Sequence, residues 1–159
     1  MDAYLAIASK RDERSYADRP LPDDVVTRIF DAGRVSGSSM NKQDWQFVVV
    51  SDKAALAETV YAPDNIRTAA LAVAIVSPRA FDTGRAAQNM MLAAWNDGVA
   101  SCPNGVRDED GATRIVGAAP SVILSFGYPA RPRDPESRSA KEWSSRANRK
   151  PLDEVVVRR

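Results

Sequence analysis

Residues 69–97, AALAVAIVSPRAFDTGRAAQNMMLAAWND, hold the change of period on which the fold turns. The apolar run Ala69 to Val76 is halted by Ser77-Pro78 at strand length, so it predicts a buried strand. Beyond the proline the period becomes helical. Over Asp82 to Asp97, Ala87, Met91 and Ala94, flanked by Met90 and Ala93, make one apolar stripe with small residues for close packing, and Gly98 ends the helix.

Outward from this unit the same signals recur. Residues 2–10 predict a short helix with Leu5 and Ile7 inward, and the charged, proline-broken stretch Arg11 to Pro22 is a loop. Val25, Val26, Ile29 and Phe30 fall at helical spacing with Asp23 and Asp24 at the positive end of the dipole, predicting a helix from Pro22 to Arg34. Ser36 to Asn41 form a small-residue loop, and Trp45 to Val50 behind it read as a buried strand with Trp45 in the core. Asp52 caps a helix over Lys53 to Tyr61. Val99 to Asp108 read as a loop, Asp110 to Val116 as a short helix and Ser121 to Tyr128 as a strand. The strand-like piece Glu154 to Val157 is too short to stand alone and needs an existing sheet edge, in its own subunit or another, which hints at a swapped dimer.

Composition narrows the chemistry. With 159 residues, 44% hydrophobic and 27% charged, the chain reads as one soluble domain, 1–159. Twenty-two basic against 21 acidic residues leave a net charge of +1, too balanced for a surface given over to nucleic acid or anionic membrane. The imbalance is local: residues 130–159 carry nine basic and five acidic side chains and form a cationic C-terminal arm. There is no histidine, so imidazole catalysis and histidine metal sites are excluded. The single cysteine, Cys102, permits no intrachain disulfide and reads as a small packing residue. The opening MDAYLAIASKRDER is too short and polar for a signal peptide, and no apolar run reaches membrane-spanning length, so the expected location is cytoplasmic. No GxGxxG, GxxxxGK[ST] or metal-ligand spacing is present.

Four segments in order carry a more specific signal: KRDERSY with the prolines after it (10–22), SSMNKQDWQF (38–47), GVASCPNG (98–105) and RANRKPLDEVV (146–156). Together they resemble the nitroreductase-like FMN flavoproteins, from Lys10 to Val157. The resemblance implies an α+β fold, a mixed or antiparallel sheet flanked by helices, assembled as a homodimer with FMN at the interface between subunits. It implies phosphate-binding cations at Lys10, Arg11 and Arg14, with Arg149 and Lys150 closing from the C-terminal end; a doubly charged phosphate needs converging cations. Asp12 stands where many members have serine, so it either faces the ribityl hydroxyls or orients Arg14. Ser38, Ser39, Asn41 and Gln43 match the loop that meets the flavin, although Gly37 and Asp44 replace its usual prolines. Asn65 and Arg67 occupy the region that offers polar contacts to the pyrimidine ring and ribityl chain. Pro103, Asn104 and Gly105 match the loop that turns a main-chain N–H of Asn104 or Gly105 toward flavin N5, with the neutral Asn104 amide shifting potential or substrate preference.

The implied activity is a ping-pong transfer of electrons from NADH or NADPH to a small acceptor such as a nitroaromatic or quinone. The chain lacks the helical excursion that larger members insert, which implies an open site. Two alternatives stand beside it. Asp12 in an Arg-Asp opening resembles the members that consume reduced FMN, a branch that the GVASCPNG loop does not follow. The cationic arm could instead engage RNA or an acidic protein, with the flavin site degenerate, but its one aromatic, Trp143, is sparse for nucleic acid.

Overall fold

The computed structural model describes residues 1–159, which divide into two compact units: Arg11–Arg133, and Met1–Lys10 together with Asp134–Arg159. The larger unit is an antiparallel sheet of four strands in the order β1-β2-β4-β3: β1 Gln46–Val49, β2 Leu71–Val76, β3 Ala100–Asn104 and β4 Val122–Gly127. The strands alternate their side chains between two helical layers. On one face Val73, Ile75, Leu124 and Phe126 pack against α2 (Asp23–Arg34) and α5 (Ala80–Asn96) through Ile29, Met90 and Ala94. On the other, Ala72, Ala74 and Ile123 pack against α3 (Lys53–Ala57), α4 (Asp64–Arg67) and α6 (Glu109–Val116) through Leu56, Ile66 and Val116. The fold is therefore the expected α+β arrangement, and its sheet is wholly antiparallel.

The 69–97 unit forms as read, with β2 buried and the Ala87–Met91–Ala94 stripe inward. Gly33 of α2 explains the close fit of this layer, since a Cβ there would lie 2.8 Å from Phe47 and 2.9 Å from Met90. Asp52 caps α3 by accepting from the Ala55 N–H at 2.9 Å. That helix stops at Ala57, however, short of Tyr61, and a further turn, α4, follows with Pro63 at its start.

Three strand expectations are corrected. Residues 100–104, read as loop, are the edge strand β3; ASCPN lacks β-branched residues and contains a proline, which an edge strand tolerates when its nitrogen faces away from the partner. β1 is not buried but an edge strand, with Gln46 and Val49 exposed and Trp45 half-buried, stacked on Phe47 with ring centroids 6.4 Å apart. The third is Glu154–Val157, which forms no strand. Pro151 at the start with Asp153 and Glu154 in the first turn favours the helical turn α8 (Leu152–Val155).

The smaller unit holds α1 (Ala3–Ser9), α7 (Ala140–Ser145) and α8. Asp2 caps α1, and Ala6 and Ser9 are its buried residues; Ile7, expected inward, is exposed, because α1 meets α7 along the small-residue side. A capping box starts α7, Ser139 accepting from the Glu142 N–H while Glu142 takes the Ser139 N–H. The Glu142 carboxyl is held below its ordinary range, chiefly by the Ser139 hydroxyl.

Candidate functional site

The antiparallel register places the N-terminal ends of β1 and β4 and the C-terminal ends of β2 and β3 at one end of the sheet. Two candidate segments emerge there, the loop 36–45 ahead of β1 and the Pro103-Asn104-Gly105 turn after β3. They leave from opposite edges with two strands between them, three spacings or about 14 Å at ~4.8 Å each.

The loop is tied to α5. The Asp82 carboxylate, buried, accepts the Ser39 N–H at 3.0 Å, and Asn89 donates to the Ser36 hydroxyl at 2.8 Å. Ser38 Oγ accepts from the Gln43 N–H at 2.9 Å, and Gln43 Nε2 donates to the Asn41 carbonyl. Between these anchors Met40, Asn41 and Gln43 all hold φ near +53°, a left-handed conformation that costs non-glycine residues on the order of 1 kcal/mol each. Met40 is 78% exposed at its tip. Gly37 and Asp44 now have structural reasons. A Cβ at Gly37 would lie 2.1 Å from the Arg85 guanidinium, and Asp44 pairs with Arg79 at 2.9 Å.

At the other edge the hydrogen-bond phase of β3 is fixed by Pro103. Having no N–H, Pro103 sits at a non-hydrogen-bonded pair with Leu124, so Asn104, one residue on, directs its N–H at the Ile123 carbonyl. The Ser101 carbonyl faces the opposite way and accepts the Glu13 N–H at 3.2 Å, in agreement with this phase. Of the two amides expected at N5, that of Asn104 is thus spent in the sheet. Gly105, exposed just past the end of β3, has its carbonyl engaged by the Tyr61 N–H at 3.1 Å. Beside it lies a cavity of about 520 Å³, lined by Gly105, Val106, Glu109, Thr113 and Ser121 among others.

The Asn104 side chain is corrected as well. It is 5% exposed and points into the α3–α4–α6 face, where Nδ2 reaches Cys102 O at 3.0 Å, Ser125 Oγ at 3.2 Å and Ile123 O at 3.3 Å. Asn65, buried on α4, donates to Asn104 Oδ1 at 3.0 Å and lies 3.8 Å from Cys102 Sγ. Arg67, exposed, is an ion-pairing surface cation, bound to Glu58 and Asp64. Cys102 is buried, in no disulfide, and serves as a packing residue in β3.

The cationic opening runs along the outer edge of β3, where Asp12 forms an isolated bridge with Ser101. Beside it Glu13 pairs with Arg133. Tyr16 then folds back over Gly127 and joins its hydroxyl to Ser125. Arg11, Asp12, Arg14, Asn65, Arg67 and Pro103–Gly105 belong to the larger unit, as does the Ser38–Gln43 loop, whereas Lys10, Arg149 and Lys150 belong to the smaller one. There Arg149 donates to the Ala147 carbonyl. Trp143 donates to Pro135 O at 2.7 Å and lies under Arg138, so the arm's one aromatic is engaged in its own unit.

Sequence reading missed Tyr16 and Ser125. Ser125 was discoverable as the polar residue inside the apolar run VILSFG, and Tyr16 as an aromatic ending a charged loop.

A model of the Nitroreductase family matches residues 7–81 and 77–128. The chain belongs to the nitroreductase family. Among its relatives, the "Putative NADH dehydrogenase/NAD(P)H nitroreductase" of Methanothermobacter thermautotrophicus is 26% identical over 150 residues, 82% of this chain and 78% of that protein. A protein of the same description from Archaeoglobus fulgidus is 26% identical over 149 residues, covering 80% of this chain and 86% of its own. A nitroreductase family protein from Clostridium difficile 630 superposes with a TM-score of 0.81 at 22% identity, over 99% of this chain and 98% of that one. A "putative nitroreductase" from Desulfovibrio desulfuricans, solved in complex with FMN, gives the same TM-score and identity over 100% of this chain and 98% of its own. This family member has no helix long and apolar enough to cross a membrane.

Proposed function

We propose that this nitroreductase family member is an FMN-dependent oxidoreductase that moves electrons from NADH or NADPH to a small oxidised acceptor of the nitroaromatic or quinone class. The observation that carries the reading is the exposed Gly105 just past the end of β3, within a chain whose family match spans both the cationic opening and this turn. A backbone donor fits N5, because hydride arrival there develops negative character and a proton, and glycine lets the main chain approach a flat ring. When bound, FMN supplies reversible hydride acceptance at N5.

The chain's own residues divide the remaining work. Lys10, Arg11, Arg14, Arg149 and Lys150 hold the phosphate, and their field favours an anionic cofactor. Ser38, Ser39, Asn41 and Gln43 offer neutral donors and acceptors from a loop whose backbone shape is set by Asp82 and the Ser38–Gln43 bond. No titratable side chain acts as acid or base, in keeping with a chain that has no histidine. Donor and acceptor therefore take turns at one site.

The edge-to-edge separation of the loop and the Gly105 turn supports a homodimer in which one copy's loop serves the other's turn. The outer edge of β1 is open, beside a cavity of about 630 Å³ lined by Phe30, Trp45, Phe47 and Val49, and Val155, Val156 and Val157 present apolar side chains to solvent. A C-terminal segment from a second copy is the occupant that this edge suits.

The test is reconstitution of the full chain with FMN. Expected are retention of the flavin through gel filtration at dimer mass, bleaching by NADH or NADPH and reoxidation by a quinone. Arg14→Ala and Arg149→Ala should each weaken FMN binding about tenfold or more, as expected for loss of a charged hydrogen bond. A monomer that retains no flavin overturns the reading.

A further inference from the structure

The most completely satisfied polar group near the candidate site is one that touches no cofactor in the reading above. Asn104 Nδ2 has three acceptors within 3.3 Å, on its own strand, on β4 and on Ser125, and Oδ1 takes a hydrogen bond from Asn65. Ser125 Oγ is 2.9 Å from the Tyr16 hydroxyl and 3.3 Å from Cys102 O. Tyr16 OH also reaches the Ser125 carbonyl at 3.2 Å. Four buried side chains, Asn65, Asn104, Ser125 and Tyr16, thus run from α4 across β3 and β4 to the loop that carries Arg11 and Arg14.

We propose that Asn104 is a positioning residue for the Gly105 amide, clamped by Asn65 on one side and by the Ser125–Tyr16 pair on the other. The inference rests on the flavin reading. An edge strand that ends Pro-Asn-Gly has every reason to fray: one neighbour gives no N–H and the next is the least restrained residue in the code. The Asn104 carboxamide offsets this by stitching the last strand residue to carbonyls two residues back and directly across the ladder. The Asn104–Gly105 peptide plane is thereby set before any ligand arrives, and pre-set donors are the ones that contribute most to charge stabilisation. Burial keeps the Tyr16 phenol well above its ordinary pKa, so it remains a neutral hydroxyl and the run stays hydrogen-bonded throughout the working range.

The alternative is a network that satisfies buried polar atoms and nothing more. The two separate on full-length Tyr16→Phe, Ser125→Ala and Asn104→Ala. Wild-type FMN binding, measured first by flavin fluorescence, decides the flavin reading before any variant is made; if it is absent, that reading fails and the proposal with it. Given binding, amide hydrogen exchange by NMR on the apo chain should show the sheet-bonded amide of residue 104, which opposes Ile123, exchanging at least tenfold faster in all three variants. In the loaded protein the preference for reduced over oxidised FMN should fall about tenfold, a midpoint potential lower by about 30 mV. Tyr16→Phe is the mildest of the three and is expected to keep the fold, so it answers the question even where Ser125→Ala or Asn104→Ala does not fold. Wild-type exchange at residue 104 together with an unmoved potential overturns the proposal, as does a lowered melting temperature with potential unchanged, which is the signature of a structural network alone.

Discussion

Gly127→Ala probes the contact that sets the cationic opening against the sheet. A Cβ at Gly127 would stand 2.9 Å from Cβ, Cγ and Cδ1 of Tyr16, well inside the ~3.5 Å at which carbon atoms pack. The ring cannot swing aside freely, because its hydroxyl is bonded to Ser125 and its Cβ is part of the clash. Overpacking of this kind costs about 1–3 kcal/mol, and replacing a strand glycine returns up to about 1 kcal/mol. The net is a loss of about 1–2 kcal/mol, a fall in Tm of about 2–8 °C for a chain of this size. Thermal melts followed by circular dichroism measure it, with Tyr16→Ala as the second background. Removing the ring removes two of the three contacts, so the Gly127→Ala penalty should shrink by about half or more in the double variant. An unchanged or raised Tm, or the same penalty in both backgrounds, refutes the packing argument.

Three further outcomes are expected. Phe126→Ala empties a fully buried position in the α2–α5 face and should cost about 3–5 kcal/mol in denaturant unfolding. Asp82→Ala releases the Ser39 N–H from a buried carboxylate, at a cost of about 1.5–3 kcal/mol, and should speed tryptic cleavage at Lys42, with Asp82→Asn intermediate. Because the folded Tyr16 phenol ionises above its ordinary pKa near 10, the unfolded chain loses this proton first; the associated stability is intact below about pH 10 and is lost as pH rises beyond it. Tyr16→Phe should flatten that alkaline decline, and the phenolate absorbance of Tyr16 should rise late in the wild-type titration.

Much of the architecture was legible because it obeys strong periods. The 69–97 unit, the Asp23–Arg34 helix and the Val122–Gly127 strand all show continuous runs or clear stripes, and each formed as read. What escaped was set by tertiary context. ASCPN carries no strand propensity, and only the neighbouring β4 makes it a strand. Glu154–Val157 has β-branched residues, but Pro151 and the acidic first turn start a helical turn there instead. In the site, residue types pointed to the right segments, but not to the direction of each side chain. Asn65 and Asn104 read as polar groups for a ligand, whereas they bind each other, because inward positions on β3 and α4 face the sheet. The pairing of Glu13 with Arg133, 120 positions on, had no local signal to reveal it.

Pro103 has a consequence that reaches past its own position. By forbidding one hydrogen bond it settles the parity of the edge: odd-numbered residues of this strand turn their amides to the outside and even-numbered ones turn them to the sheet. A proline moved to position 102 or 104 would reverse that assignment and direct the following glycine's N–H inward. The imino acid thus works as a counter, so that single-residue insertions between Pro103 and Gly105 should be far less tolerated than insertions of two.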